Sequence, residues 1–291
     1  LAAHLVTAGW TVRALLRTPT KRGQDGAVEW VPGSLEDSAS LERLLDGVDA
    51  VVHCAGTVRG ANRADFLAAN ADGVGRLASM AATLSPSPFF VLISSLAARE
   101  SALSDYARSK REGELALAGV AGAMPWVALR PPVVYGPGDR EVAPLFSWMS
   151  RGIAPVAADG AGRFSMLYVD DLAEAVARCL DSPTAAGHTF ELHDGHAGGY
   201  HWHEVVAAAA HHFRRRVRCL NIPLGLLRAV AALNLTTARL CGYAPMLTPG
   251  KVREICHPDW VCDNGSITAS IGWAPHVDLA QGLARTFPRR R

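Results

Sequence analysis

Tyr106 and Lys110 stand four positions apart in Tyr106-Ala-Arg-Ser-Lys110. On a helix that spacing puts both side chains on one face. An ammonium beside a phenol favours the phenolate and draws its pKa toward neutrality. Tyr106 is then suited to general acid or base work on a carbonyl/alcohol pair. The chain has five tyrosines and only three lysines, Lys21, Lys110 and Lys251. A pair at this spacing arises by chance only about 0.05 times per chain of this composition. Upstream, the apolar run 89–94 (FFVLIS) ends in Ser94-Ser95. Ligands of open α/β sheets sit outside the carboxyl ends of the strands. A serine hydroxyl there can bond the reacting oxygen and turn it toward Tyr106.

The elements that must position these groups alternate along the chain. Residues 1–8 read as a helix ended by Gly9, and 11–16 (TVRALL) as a strand. A short strand at 28–31 precedes a helix over 38–45. The strand 50–53 (AVVH) closes on Cys54-Ala55-Gly56, and a long helix covers 64–84. The buried strand 89–94 leads to a helix starting near Tyr106, then to a strand at 126–129 (WVAL) before Pro131-Pro132. Apolar strands alternating with helices predict βαβ units and a parallel, doubly wound α/β sheet. Strands 11–16, 50–53, 89–94 and 126–129 are expected in that one sheet, their ends meeting at a cleft. The second half has more proline, a short strand at 188–192, and helices near 202–213 and 224–240. The expected division is a dinucleotide-binding Rossmann-type region over 1–163 and a smaller, mainly substrate-binding region over 164–291, some of whose elements return to the core.

Composition excludes several classes. Of 291 residues, 49% are hydrophobic and 19% charged, which suits a large α/β core. A net charge of +2 gives no sign of a nucleic-acid partner. Six scattered cysteines without a C-x-x-C pair read as small buried hydrophobes in a reducing, cytoplasmic setting. Residues 1–8 are too short for a signal peptide. The apolar stretch 222–240 is broken by Arg228, Asn234 and Arg239, so no membrane span is predicted. No metal is expected: His193, His196, His201 and His203 lie in loop-like sequence, and the run Cys256 to Cys262 lacks convergent spacing.

Several motifs, in order, resemble the extended short-chain dehydrogenase/reductases, also called the NAD-dependent epimerase/dehydratase family. They are Val52-His53-Cys54-Ala55-Gly56, Asn70-Ala-Asp-Gly73, Ile93-Ser94-Ser95, Tyr106-x-x-x-Lys110, the run from Leu129-Arg130-Pro131-Pro132 to Gly138, and Tyr168-Val-Asp170-Asp171. Asp259-Trp260 and Ile271-Gly272-Trp273 also fit. The resemblance implies a Ser95, Tyr106, Lys110 triad, with Ser95 preferred over Ser94 as the last hydroxyl of the strand end. It implies Cys54, Ala55 and Gly56 beside the cofactor, Pro131, Val133 and Val134 along the nicotinamide side, and Lys110 on ribose hydroxyls. Ser34, followed by Leu35, stands where an aspartate contacting adenine is usual.

Such a sheet opens with an apolar strand and a glycine-rich turn at the first helix. Neither precedes residue 1, so a strand and turn of roughly 12–18 residues are expected upstream. The strand 11–16 runs into Arg17 with no acidic residue, and Lys21 and Arg22 follow. An acidic residue there would hold ribose hydroxyls, whereas arginine accommodates a 2′-phosphate. NADP is therefore favoured over NAD. Sugar-nucleotide members of the family usually have Asn where Pro132 stands, and Arg-Pro-Pro is commoner on the 3β-hydroxysteroid dehydrogenase and dihydroflavonol-reductase side. The expected activity is an oxidoreductase acting on a small, mostly apolar carbonyl or alcohol, compatible with a homodimer. Helix 224–240 and Met246-Leu247 are candidates for the pocket wall. The alternatives are a sugar-nucleotide epimerase or dehydratase, and a non-catalytic dinucleotide-binding sensor or assembly subunit.

Overall fold

A computed structural model of the protein describes residues 1–18, 26–157 and 160–288. Its centre is a four-stranded, wholly parallel sheet in the order His188–Glu191, Trp126–Arg130, Phe89–Ile93, Ala50–His53. Phe90, Val91, Val127, Ala128 and Leu129 are fully buried, because helices cover both faces. That is why these strands read as continuous apolar runs rather than as alternating ones. On one face Leu77, Ala78 and Ala81 of the helix Gly73–Ala82 and Leu117 of Asp105–Val120 pack on Phe90, Leu92 and Ala128. On the other, Ala175, Val176 and Cys179 of the helix Val169–Leu180 pack on Val91, Val127, Leu129 and Phe190. The last of those belongs to the strand His188–Glu191, so the second half of the chain does return to the core sheet.

Val12–Leu16 departs from expectation. It pairs in parallel with Val28–Pro32 in a separate two-stranded sheet, supported by an Arg13–Glu29 ion pair at 3.1 Å. It is not hydrogen-bonded to Ala50–His53. Neighbouring strands must lie about 4.8 Å apart to share a ladder. Here a cleft of about 770 Å³ separates the two edges, lined by Leu5, Val12 and Ala14 on one side and Val51 and His53 on the other.

The long helix expected over 64–84 forms in three pieces. Arg63–Leu67 is capped reciprocally by Asn62 and Asp65, a wide turn runs through Ala68–Asp72, and Gly73–Ala82 continues it. Such wide turns re-aim side chains and are frequent at functional sites. A second apolar cluster, with Tyr135, Phe146, Met149, Val156 and Tyr168, organises the later half. Cys179 and Cys262 are buried as expected, but Cys54, Cys219 and Cys241 are exposed. Among the described residues one helix, Leu224–Cys241, is long and apolar enough by length and composition to cross a membrane, with 17% of it buried.

Candidate active site

The carboxyl ends of the central strands deliver the groups singled out by sequence. Phe89–Ile93 ends in Ser94-Ser95, and the two hydroxyls part. Ser94 is buried and donates to Glu114 Oε1 at 2.6 Å. Glu114 is clamped by Arg130 through two bonds, of 2.8 and 2.7 Å, and by Arg111 at 3.0 Å. Ser94 is thus committed to a buried charge cluster. Ser95 instead caps the short helix Leu96–Glu100, accepting from the Ala97 amide at 3.2 Å, and its side chain lies near enough to the Tyr106 phenol to favour the ionised form.

Tyr106 enters on the first turn of Asp105–Val120, capped by Ser104. Lys110 lies one turn on, its Nζ donating to the Ile93 carbonyl at 3.1 Å. Burial pushes the Lys110 pKa down to about 8, with Cys54 and Glu114 opposing. Burial pushes the Tyr106 pKa up, opposed by the Ser95 side chain and by Lys251. The expectation that Lys110 lowers the Tyr106 pKa is therefore corrected. Lys110 is turned to the strand end, and the ammonium acting on the phenol belongs to Lys251, 5.6 Å from the ring centroid. Lys251 sits on the helix Pro249–Ile255 and pairs with Glu254 at 2.8 Å. Glu254 is buried and accepts from Ser104.

Asn70, on the wide turn, is a further member that residue spacing did not single out. Its Oδ1 accepts from the Thr57 amide at 2.9 Å, and its Nδ2 donates to the Thr57 carbonyl and to Ser109 Oγ. It ties the loop after Ala50–His53 to the helix of Tyr106 and Lys110. Its place in Asn70-Ala-Asp-Gly73 was the available signal. For Lys251 the signal was rarity, since it is one of three lysines.

The remaining predicted residues divide into two groups. Cys54, Ala55 and Gly56 are exposed at the end of Ala50–His53. A Cβ on Gly56 would lie 2.7 Å from Asn70 Oδ1 and 3.3 Å from Lys110 Nζ, so only glycine fits that approach. Pro131 is buried and accepts from the Leu96 amide at 2.9 Å, while Val133 and Val134 are half-buried on the strand Val133–Tyr135. Arg17 is exposed at the end of Val12–Leu16. Ser34 accepts from the Glu36 amide at 3.3 Å, and Leu35 is buried against the core while also lining the large cleft with Cys54 and Ala55. Lys21 and Arg22 lie outside the described residues. The open loop at Gly56 beside a lysine ammonium suits a dinucleotide's ribose and nicotinamide end, which Lys110 and Asn70 would flank. Among the described residues no three His, Cys, Asp or Glu gather as metal ligands would.

Beside Tyr106 is a pocket of about 170 Å³. Val58, Phe66, Leu235 and Met246 give it apolar walls, with Lys251, Arg239 and Arg253 as its cations and Asp105 and Glu254 as its carboxylates. The Phe66 ring meets Tyr106 edge-on at 6.3 Å between centroids.

Residues 1–192 match the model of the NAD-dependent epimerase/dehydratase family. A ceramide reductase of Caulobacter vibrioides is 36% identical over 269 residues, which span 89% of this chain and 82% of that protein. A 2-alkyl-3-oxoalkanoate reductase of Stenotrophomonas maltophilia is 25% identical over 98% of this chain and 93% of its own length. Among solved structures, a Bacillus cereus UDP-glucuronic acid 4-epimerase in complex with UDP-glucuronic acid and NAD superposes with a TM-score of 0.73 over 98% of this chain and 92% of that one, at 15% identity. That likeness shows the doubly wound fold, and the family match with the ceramide reductase relative shows more: the chain belongs to the NAD-dependent epimerase/dehydratase family of oxidoreductase and epimerase enzymes.

Proposed function

We propose that the protein is a cytoplasmic, nicotinamide-dependent reductase of a small, mostly apolar carbonyl compound, with Ser95, Tyr106 and Lys110 as its catalytic residues. The observation carrying this reading is the nearness of the Ser95 side chain to the Tyr106 phenol beside a pocket with apolar walls. Bound NADPH or NADH supplies the hydride. Because burial raises the Tyr106 pKa, the phenol holds its proton at neutral pH and is poised to give it to an oxygen gaining negative charge. Ser95 holds that oxygen in hydrogen-bond reach of the phenol. Lys110, near Gly56, would donate to ribose hydroxyls and hold the dinucleotide at the strand ends. Reduction also agrees with two relatives named as reductases.

On this reading Cys54, Ala55, Gly56, Pro131, Val133 and Val134 flank the nicotinamide end, and Arg17, Ser34 and Leu35 the adenosine end. Arg17, without an acidic neighbour in the strand, favours NADP. Residues 1–163 then form the dinucleotide region, and 164–291 mainly the substrate side. The test is Tyr106→Phe, which removes the proton and keeps the ring packed against Phe66. General acid catalysis is worth about 10²–10⁴-fold, so kcat should fall by that order while dinucleotide affinity persists. Near-normal turnover in the variant would overturn the assignment.

A further inference from the structure

The helix Leu224–Cys241 leaves a stripe of large apolar side chains in solvent. Leu226, Val230, Leu233 and Leu240 are 56%, 46%, 69% and 83% exposed. Their spacing of four, three and seven puts them on one face. On a neighbouring face Leu227 and Ala231 pack with Val252 and the residues around it, and Ala238 is also buried. The helix is also fastened to the protein by polar bonds: Asn234 donates to the Leu247 carbonyl at 2.8 Å, and Arg239 to the Ala61 carbonyl at 3.2 Å. A helix held in this way cannot leave the body of the protein to span a bilayer, but its outer stripe can lie in the surface of one.

Charge says which surface. Over the whole chain 29 basic residues balance 27 acidic ones. Yet no Asp or Glu occurs between Glu204 and Glu254, while Arg214, Arg215, Arg216, Arg218, Arg228 and Arg239 all fall there. Each of those six is exposed. The strand Arg218–Ile222, which leads straight into the helix, adds Leu220 at 57% exposure. Exposed leucines on a helix entered through four exposed arginines, Arg214, Arg215, Arg216 and Arg218, with no carboxylate in the segment, match the headgroup layer of an anionic bilayer in both polarity and sign.

We infer that the protein docks peripherally on anionic phospholipid membranes, laying the Leu226–Val230–Leu233–Leu240 stripe into the interface with Arg214, Arg215, Arg216 and Arg218 on lipid phosphates. The inner side of the same helix contributes Leu235 and Arg239 to the pocket beside Tyr106. Docking therefore sets that pocket next to the bilayer, where an apolar substrate is concentrated. This consequence rests on the proposed function, whereas the docking itself does not.

The test is flotation of the full chain with phosphatidylcholine vesicles, with and without phosphatidylglycerol. The wild-type protein should float with the phosphatidylglycerol vesicles only, and release as salt rises from about 0.1 M to about 1 M. Leu226→Gln, Leu233→Gln and Leu240→Gln combined should weaken binding at least about tenfold, since each takes an apolar side chain from the interface. Arg214, Arg215, Arg216 and Arg218 changed together to Gln should abolish the preference for phosphatidylglycerol with the stripe intact. Thermal midpoints and dinucleotide affinity check that both variants fold, and their loss in one leaves the other as the test. A wild-type protein that ignores anionic vesicles overturns the inference, as does a leucine variant that floats unchanged. So does a concentration-dependent dimer that Leu233→Gln dissociates without any vesicle binding, for the stripe then belongs to a second copy. Tyr106→Phe should float like wild type, so a failed catalytic assignment and a failed docking inference are told apart.

Discussion

Glu114→Gln removes one charge from the cluster that fixes the end of the strand Phe89–Ile93, and its cost follows from the geometry. The Glu114 side chain is 4% exposed and that of Arg130 is 14% exposed. Four charge-assisted bonds, between 2.6 and 3.0 Å, converge on one carboxylate. The glutamine keeps the shape but leaves the Arg130 guanidinium without its main counter-charge. Breaking a buried pair from one side costs about 3–5 kcal/mol. Glutamine's oxygen still accepts one bond, so the low end, about 3 kcal/mol, applies. For a chain of this size that lowers Tm by roughly 6–12 °C. The pH dependence has a definite sign. Burial pushes the Glu114 carboxyl up, but bonds from Arg130, Ser94 and Arg111 outweigh it and hold the pKa below its ordinary value. The folded state therefore takes up this proton less readily than the unfolded state. The stabilisation is complete above the ordinary carboxylate pKa and is lost as pH falls through the depressed one. Thermal and urea unfolding across that range, for both proteins, should show the acid limb flattened in Glu114→Gln. The double change Glu114→Leu with Arg130→Met should cost less than Glu114→Gln alone, because the buried guanidinium goes with its carboxylate and the charge left over, on Arg111, is 44% exposed and can turn to solvent. A loss under about 1 kcal/mol for Glu114→Gln, the size of a solvent-screened surface pair, would refute the reasoning.

Three further outcomes follow from the site. Lys110 is charged below about pH 8 and neutral above it, so dinucleotide affinity should weaken as pH rises through that value, and a titration flat from neutral pH through pH 9 would count against its ribose role. Lys251→Met removes the cation over Tyr106 and should move the deprotonation limb of kcat to higher pH, since the ammonium favours the phenolate; an unmoved limb would mean that Lys251 does not act on the phenol. Arg17→Asp should weaken NADPH more than NADH in parallel binding titrations, and equal losses would show that Arg17 does not read the 2′-phosphate.

What could be read from sequence was what repeats locally. The strands Ala50–His53, Phe89–Ile93 and Trp126–Arg130 were legible because parallel, doubly covered strands are written as short apolar runs between helical segments. Tyr106 and Lys110 were legible because helix geometry converts a spacing of four into a shared face. Contacts between distant parts of the chain were not. No local pattern says that Ser94 is consumed by Glu114 twenty positions on, which is what separates it from Ser95. Nor does any say that the ammonium nearest the Tyr106 ring arrives from residue 251. Val12–Leu16 reads as a strand like the central ones, yet among the described residues it pairs with Val28–Pro32 alone, because hydropathy marks a strand and not its neighbour. The wide turn at Ala68–Asp72 was hidden for a related reason: Ala-Ala-Asn-Ala-Asp continues a helical pattern, and the unwinding is set by the bonds Asn70 makes to Thr57 and Ser109. The proposed chemistry was thus written in residue types. The proton's energetics were written in tertiary contacts, and these reverse the direction of the Tyr106 shift. A phenol drawn toward neutrality by Lys110 would be partly ionised near neutral pH, whereas one held protonated by burial keeps a proton to give.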